Sequence, residues 1–468
     1  MIEEWVNKFK TRGIAILKKN QRYYAYKIRS VWDPKKKRPR KITDAYLGVV
    51  TPYGIFKKHS LTAIKSDYEY ANISFLLSVA RDVYNLLKEV YPYEWEKLLS
   101  FSLLRVIQPL PLKSIQYLFD KTYLKLLFPN LSMSPKTLSS LIDYVGRNRK
   151  LAEELMKKLI VGTRHLIIDL SYIFSYSQKI SLLERGYNKD HLYVPQINIL
   201  LGFSKQKKAP SFIRILPGSV RDVQSLLATV RLFNIKEIVL IVDWGFYSAK
   251  NINLVRGSNV DYIFPLKRNS RLIPRVSESF EGVFLYHQRP IKFWITKRRR
   301  WRVYVFDDSH LKLEEEKEFL QLISERKKSI AEFNRRKRHF GKIYLLSSLS
   351  VTAEEIYLMF KQKEDIEYSF NIFKNLLDAD KLYAQTDEKL VGYMFVNFLS
   401  LYVYYKALNR ISKAGLQKRF SLNDVLLQLS KVKVYVCDGG RFLSEIPAKV
   451  RDLAEKLGVD LLLKNGKS

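Results

Sequence analysis

The sequence has few of the residues that hold transition metals or form disulfides. It contains one cysteine, Cys437, and 6 histidines in 468 residues. A single cysteine excludes a disulfide framework within the chain, and it also excludes a cysteine-rich zinc site. This composition is typical of proteins in a reducing compartment, and we expect a cytoplasmic protein.

Long hydrophobic runs are also missing. Residues 1–13 contain no apolar segment of the kind that forms a signal peptide. The longest uncharged apolar stretch, residues 391–405, has 15 residues, and a membrane-spanning helix needs about 18 or more. We therefore expect these residues to form a buried core helix and the protein to have no membrane partner.

Acidic residues are scarce relative to basic ones. The chain has 82 Lys and Arg against 46 Asp and Glu, which gives a formal net charge of +36. Repulsion within such a chain opposes folding unless a polyanion binds to it. Hydrophobic residues make up 47% and charged residues 27%, values typical of folded globular proteins. Nucleic acid is therefore the first candidate partner, and an anionic membrane surface is the second.

The amino-terminal part predicts two regions. In residues 1–60, apolar and polar residues alternate over 21–33, and a second strand follows a run of six basic residues in seven at 35–41. These features predict a small basic β-rich region with a hairpin. Residues 66–160 show apolar spacings of three and four, which predict a helical DNA-binding region.

The basic run at the hairpin tip has two interpretations. It is either a solvated loop or a surface that contacts phosphates, and the excess charge of the chain favours phosphate contact. The residues that we expect to bind DNA there are Lys35, Lys36, Lys37, Arg38 and Arg40.

The remaining chain predicts an α/β fold. Short apolar runs with one helical segment between them predict a sheet covered by helices over residues 161–257 and 346–410. Residues 258–345 predict a β-rich insertion with a charged helix. Residues 411–468 predict a helical carboxyl-terminal region.

Two aspartates lie where an acid is costly. Asp169 interrupts the apolar run LIIDLSYIF, and Asp243 interrupts IVLIVDWGF. A buried carboxylate needs a compensating partner, and Mg²⁺ is one because it prefers carboxylate oxygens. For each aspartate alone, the alternative is a residue that ends a strand and caps the next turn.

A third acid, Glu367, lies on a predicted helix. The residues Phe360, Lys363, Glu367, Phe370 and Lys374 follow steps of three and four and share one stripe. The stripe is either a solvated Lys–Glu ladder or a metal ligand flanked by phosphate-binding lysines. Together with the two aspartates, Glu367 would complete a site for two metal ions that clamp a phosphodiester.

These residues carry a resemblance to a known family. The segment Phe360-x2-Lys363-x3-Glu367-x6-Lys374 resembles the Tyr-x2-Arg-x3-Glu-x6-Lys signature of one group of DDE transposases, with Phe for Tyr and Lys for Arg. Lysine keeps the charge of arginine but loses its bidentate fork.

The two aspartate segments extend the resemblance. Asp169 matches the first strand of the family, and VLIVDWGFYS resembles its Asp-Arg-Gly-Phe segment, with Trp244 in the place of arginine. Over about residues 160–405, the chain is similar to DDE transposases of bacterial and archaeal insertion sequences, in the insertion-sequence-four-like group.

The resemblance implies a ribonuclease H-like catalytic core with a β-rich insertion, and cut-and-paste DNA transposition in a prokaryotic nucleoid. Asp169, Asp243 and Glu367 would be the catalytic and metal-binding residues, with two Mg²⁺ ions per site, or Mn²⁺ in their place. Lys363 and Lys374 would contact the DNA backbone. The partners would be double-stranded DNA, as terminal inverted repeats and target, and a second copy of the chain on the paired ends.

In relatives, an aromatic residue of the insertion stacks on a flipped base. Trp294 and Trp301 are the candidates here, and the alternative is ordinary packing in a sheet. Three basic residues between them are expected to contact phosphates, namely Arg298, Arg299 and Arg300.

Two other functions remain open. One is a catalytically inactive or domesticated DNA-binding protein. The other is a ribonuclease H-like nuclease that cuts without strand transfer.

Overall fold

A computed structural model describes most of the chain. The described residues are 4–19, 22–33, 36–56, 64–163, 165–186, 188, 192–220, 223–233, 239–241, 253–255, 257, 260–275, 279–297, 301–361, 363–380, 384–438 and 440–463. The chain divides into two compact units. One consists of Met1–Ser78, Tyr117–Pro129 and Arg410–Ser468, and the other of Val79–Gln116 and Asn130–Asn409.

Both helices and strands are present throughout, so the fold is mixed α/β. The strands are β1 Ile14–Lys19, β2 Arg22–Asp33, β3 Arg38–Thr51, β4 Gly54–Phe56, β5 Ile64–Glu69, β6 His165–Phe174, β7 Glu184–Arg185, β8 Pro195–Ser204, β9 Ala209–Pro217, β10 Val239–Ile241, β11 Asp261–Pro265, β12 Gly282–Tyr286, β13 Arg289–Lys297, β14 Arg302–Asp308, β15 Lys342–Ser347, β16 Lys433–Cys437 and β17 Gly440–Leu443.

The helices are numbered in the same way. They are α1 Ala71–Val79, α2 Arg81–Val90, α3 Trp95–Ile107, α4 Leu112–Lys121, α5 Leu124–Leu127, α6 Pro135–Arg147, α7 Arg149–Ile160, α8 Val223–Leu232, α9 Ser309–Ser324, α10 Ile330–Arg336, α11 Ala353–Lys361, α12 Lys363–Asn371, α13 Asp387–Lys413, α14 Leu422–Leu429 and α15 Ala448–Leu457. Single turns of 3₁₀-helix span Glu4–Phe9 and Lys337–His339, and a π-helix spans Ile372–Leu376.

The first four strands form an antiparallel sheet in chain order. Its small core contains Val6, Tyr23, Ala25 and Val50, because the alternating residues of β2 place one side chain in two towards the same face. Strand β2 lies where the alternating residues predict it, whereas β3 begins within the basic run, at Arg38, and β1 was not predicted.

The carboxyl-terminal segment differs from its prediction. The sequence predicts a helical region over 411–468, but the structure also has β16 and β17, which form a three-stranded sheet with β5. Strand β16 is the five residues KVYVC, too short for periodicity to separate a strand from a helix. Its partner β5 comes from far away in the sequence, so the pairing could not be read locally.

The predicted helical region before residue 160 is helical, apart from β5 at its start. Helix α6 begins where the sequence predicts it. The hydroxyl of Ser134 accepts a hydrogen bond from the backbone N–H of Thr137 at 3.3 Å, and Pro135 occupies the first turn.

The large unit is organised around a ten-stranded sheet. Its order is β12-β13-β14-β15-β11-β10-β6-β8-β7, and β9 pairs with the other edge of β8. Strand β6 is parallel to β10 and antiparallel to β8, and β10 is parallel to β11. The strands of the predicted insertion therefore continue the central sheet, through the antiparallel pair β11 and β15.

Two segments of the predicted insertion are interrupted. The apolar run 282–297 is a hairpin, since His287 and Gln288 both have positive φ and turn the chain. The charged segment 311–340 breaks at Arg326, which also has positive φ, and restarts where the Ser329 hydroxyl caps α10. The helix predicted around Glu367 is present as α11 and α12, followed by the π-helix, and residue 362 lies outside the described residues.

Residues 391–405 lie within α13, and nearly all of their side chains are buried. The prediction of a buried core helix is therefore confirmed. In the part of the chain that the structure describes, no helix is both long enough and apolar enough to cross a bilayer.

Candidate active site

Asp169 lies in the middle of β6, which is paired with β10 on one side and β8 on the other in the large sheet. Its residue is 5% exposed. One carboxylate oxygen, Oδ1, accepts the backbone N–H of Leu170 at 2.8 Å. The neighbouring Ile167 and Ile168 are fully buried. The structure thus places this acid within the sheet, as the sequence predicts, instead of at a strand terminus.

The neighbours of Asp169 come from both sides of β6. Across the antiparallel pair it faces Leu201 of β8. On the other side, the pairing of β6 with β10 can be described as far as Ile167 opposite Ile241. Asp243, the second predicted ligand, lies outside the described residues.

Glu367 lies on α12, which packs against β6 and β8. The helix faces the sheet through buried Ile366 and Phe370. Glu367 itself has a side chain that is 53% exposed, and its carboxylate lies 3.1 Å from the ammonium of Lys363. The Lys363 side chain is only 12% exposed. The predicted Lys–Glu pair therefore exists, on the helix that contacts the strand of Asp169.

Lys374 is next to the same strand. It belongs to the π-helix after α12, and its ammonium lies 4.9 Å from the ring centre of Tyr172 on β6. Tyr172 follows Asp169 by three residues. A cation over a tyrosine ring is attracted to the negative face of the ring. This contact holds the last cation of the signature beside the strand that carries the first acid.

A buried arginine fixes the segment that ends the π-helix. Arg105 of α3 is 1% exposed, and its guanidinium donates to the backbone oxygen of Leu377. It also donates to the side-chain oxygen of Asn397 at 2.8 Å and lies over the ring of Tyr393. We did not predict Arg105 from the sequence, because its partners are more than 250 residues away.

A buried polar network borders β6 on the other side. The amide groups of three buried side chains form a chain in which Asn188 donates to Gln196 and Gln196 donates to Asn198, both at 3.1 Å. Asn198 then donates to the backbone oxygens of Gly218 and Val220 at 2.9 and 2.8 Å. The network ties the β7–β8 connection to the segment that follows β9.

This amide network was not predicted from the sequence. Its signal was the polar pair in the first half of β8, PQINILLGFS, where an apolar strand holds Gln196 and Asn198. Both are fully buried, and buried amides require partners. Asn198 faces Tyr172 across the β6–β8 pair, so the network adjoins the strand of Asp169.

The candidate base-stacking residues are both half-buried. The Trp294 indole N–H donates to the backbone oxygen of Ser279 at 2.8 Å, which anchors the ring in its own hairpin. Trp301 immediately precedes β14. Stacking by either ring stays a prediction. Arg298, Arg299 and Arg300 lie outside the described residues.

The predicted cations of the amino-terminal hairpin are exposed. Lys36 and Lys37 form its turn, and Arg38 and Arg40 begin β3. Lys35 lies outside the described residues. Among the residues that are described, no group of three acidic, histidine or cysteine side chains could hold a metal ion together.

Residues 149–403 match the family model whose description is "Transposase DDE domain". This segment contains Asp169, Asp243, Glu367 and Lys374. The chain belongs to the transposase DDE domain family. The subgroup and the prokaryotic origin of this DDE transposase stay predictions.

Other comparisons of this transposase add little. It matches no curated protein sequence. Among solved structures, it is similar to a cryo-EM structure of piggyBac transposase in a synaptic complex with hairpin DNA, with a TM-score of 0.40 and 13% identity over 86% of this chain and 87% of that chain. A likeness at that score supports no statement about the site.

Proposed function

We propose that this chain is a DNA transposase in which Asp169, Asp243 and Glu367 bind two divalent metal ions. The ions and the protein would cleave phosphodiesters and transfer strands at the terminal inverted repeats of a mobile element. The observation that carries the proposal is a buried carboxylate within the large sheet, on the strand against which the helix of Glu367 packs.

A sequence offset supports a shared role for the two aspartates. Residues that pair between β6 and β10 differ by 74 positions, as His165 and Val239 do, or Ile167 and Ile241. Asp169 and Asp243 differ by the same 74 positions. Asp243 itself lies outside the described residues, and its place beside Asp169 is part of the proposal.

The strand order supports a ribonuclease H-like core. Such a core has three antiparallel strands followed by two parallel ones, with the first strand of the chain at the centre. The order β9-β8-β6-β10-β11 has this arrangement, and β6 is the central strand. In this proposal β11, which the sequence analysis places in the insertion over residues 258–345, belongs to the core, and the insertion begins after it.

The donor set suits Mg²⁺. All three proposed ligands offer hard carboxylate oxygens, which Mg²⁺ and Mn²⁺ prefer to sulfur or imidazole. The burial of Asp169 is costly without a compensating charge. When bound, two such ions activate the attacking water or 3′-hydroxyl and stabilise the departing oxygen.

The protein would position the DNA around these ligands. Lys363 pairs with the Glu367 carboxylate and would turn to a phosphate when a metal ion binds that carboxylate. Lys374, held over Tyr172, would neutralise a neighbouring phosphate. Two copies of the chain would act together, one on each end of the element.

The test is incubation of the full chain with linear duplexes that end in the sequences flanking its coding region. Parallel reactions contain Mg²⁺, Mn²⁺ or EDTA. We expect metal-dependent cleavage at the terminus and joining of the released 3′-hydroxyl to a second duplex. Cleavage without joining would identify a nuclease instead, and binding without either reaction would identify a DNA-binding protein.

A further inference from the structure

The outer part of the hairpin formed by β2 and β3 is exposed on all sides. We define this outer hairpin as residues 28–33 and 36–43. None of its described side chains is buried, and Trp32 is 62% exposed. The core of the small sheet lies at the base of the hairpin, around Tyr23 and Val50.

The outer hairpin is a regular two-stranded ribbon. Two register shifts separate it from the base, and six uninterrupted pairs follow, from Ile28 opposite Thr43 to Asp33 opposite Arg38. Six residues of strand are about 20 Å long. The ribbon is therefore long enough to cross several base pairs of a duplex.

Positive charge occurs on both faces of this ribbon. Paired residues share a face, and successive pairs alternate between faces. Lys41 lies on the face of Trp32, while Arg29, Arg38 and Arg40 lie on the opposite face. Lys36 and Lys37 add charge at the turn between the strands.

Most of these cations are not neutralised by the protein. Arg29 pairs with Asp44 at 3.1 Å. In the described part of the chain, no ion pair is formed by the five remaining cations, which are Lys36, Lys37, Arg38, Arg40 and Lys41. The outer hairpin therefore carries excess positive charge on both faces, in a protein whose formal net charge is +36.

Cations on two faces indicate an element that enters a groove. A surface that lies on the outside of a duplex meets phosphates on one face only, whereas a ribbon in a groove has a phosphate wall on each side. The major groove of B-DNA, about 12 Å wide, admits a two-stranded β-ribbon. Trp32 is 62% exposed and lies one pair from the end of the ribbon, so it would contact base edges when the turn enters the groove first.

We propose that the outer hairpin binds double-stranded DNA by entering its major groove turn first, so that its two faces lie towards the two phosphate walls and Trp32, one pair from the end of the ribbon, reaches the bases. The inference rests on the proposed function for the identity of the partner.

The first test removes charge from the ribbon of the full-length protein. The variant Lys36→Gln/Lys37→Gln/Arg40→Gln is compared with Lys413→Gln/Lys418→Gln/Lys449→Gln, which loses the same charge at exposed sites elsewhere. Affinity for a mixed-sequence DNA duplex is measured over a range of salt concentrations. We expect the ribbon variant to bind at least ~10-fold more weakly, with a salt slope smaller by about 0.9 for each phosphate that it no longer neutralises. Equal reductions of affinity in both variants would overturn the proposal.

The second test identifies the groove. Dimethyl sulfate methylates guanine N7, which lies in the major groove. We expect the wild-type protein to protect N7 and the Trp32→Ala variant to protect it less. An RNA duplex of the same sequence has a major groove too narrow to enter, so the ribbon variant should bind it as the wild type does. Unprotected N7, or equal reductions of affinity for DNA and RNA, would contradict major-groove entry.

The two proposals can fail separately. If the ribbon variant binds DNA normally while metal-dependent cleavage persists, the hairpin inference is wrong and the proposed function stands. If the wild type neither cuts nor joins with metal, but the ribbon variant loses DNA affinity, the proposed function is wrong and the hairpin inference stands. Unchanged thermal unfolding of each variant shows that a weaker affinity is not due to misfolding.

Discussion

Strand β6 and helix α12 each carry one proposed metal ligand, but they hold it in opposite ways. Asp169 is 5% exposed, in a strand paired on both sides. Glu367 is 53% exposed, on a helix of nine residues. The sheet sets the position of Asp169. The position of Glu367 depends on the contacts that hold α12 and the π-helix after it.

The contrast has an energetic side. A carboxylate in the sheet costs free energy that a neutral amide of the same shape would not. An exposed carboxylate beside a lysine costs almost nothing, and its ion pair contributes little. A change at Asp169 should therefore affect stability more than a change at Glu367, which is nearly neutral to the fold.

The largest effect should come from the ligands themselves. Asp169→Asn and Glu367→Gln should each slow strand cleavage by about 10³-fold, or roughly 4 kcal/mol of barrier, because each removes a metal ligand. Cleavage is measured with Mg²⁺ on the terminal duplex, and DNA affinity should be unchanged. The matched control is Glu364→Gln on the same helix, where the acid pairs with Lys361.

Asp169→Asn and Glu367→Gln should also differ in their effect on the free energy of unfolding. Without metal, Asp169→Asn should shift the denaturant concentration at the midpoint of unfolding, because the residue is buried, while Glu367→Gln should leave it unchanged, because its side chain is exposed. Full cleavage activity in Asp169→Asn would remove this residue from the site. Loss of activity in Glu364→Gln would show that any change of charge on this helix abolishes cleavage. The loss in Glu367→Gln would then not identify a metal ligand.

The second-largest effect should come from Arg105, which holds the segment after the π-helix. Arg105→Met leaves the Leu377 oxygen and the Asn397 side chain without a donor in a buried place. We expect a decrease of about 3 kcal/mol in the free energy of unfolding, the size found when a buried charged hydrogen-bonding group is removed. Urea unfolding measures it.

Arg147→Met is the control for this change. Arg147 makes an ion pair with Asp143 at the surface, and such pairs contribute little. If both variants lose the same stability, Arg105 has no special role in holding the segment after the π-helix.

The smallest effect is expected at Lys374. Lys374→Ala removes the cation held over Tyr172, and we expect cleavage to slow by about 10-fold through weaker phosphate contact. The comparison variant is Lys361→Ala on the preceding helix, whose lysine pairs with Glu364 instead. Equal rates for the Lys374 variant and the wild type would place this lysine outside the site.

Much of the sheet could be predicted from local sequence. The run HLIIDLSYIF predicts β6, and the alternating residues 21–33 predict β2, because a strand's period of two survives in a short window. Breaks in longer elements were harder to see. The turns at His287, Gln288 and Arg326 have positive φ but contain no glycine at these positions. The residue types there therefore did not predict the turns.

The site was only partly predictable for the same reason. Asp169 was conspicuous because an acid inside an apolar run is rare, and Glu367 because the signature around it has fixed spacing. Arg105, Gln196 and Asn198 gave weaker signals, since each is explained by partners that are distant in the sequence or bound through the backbone.

The sequence by itself determined that this chain is a strongly basic α/β protein with acids in apolar strands and the spacing of the DDE transposase signature. Those features depend on composition and on short periodicities, which need no knowledge of neighbours. Only the tertiary structure decided that β6 lies between β10 and β8, that α12 packs against it, and that a buried arginine holds the end of the π-helix. Such facts depend on pairings across hundreds of residues, and chain folding, not local preference, selects them.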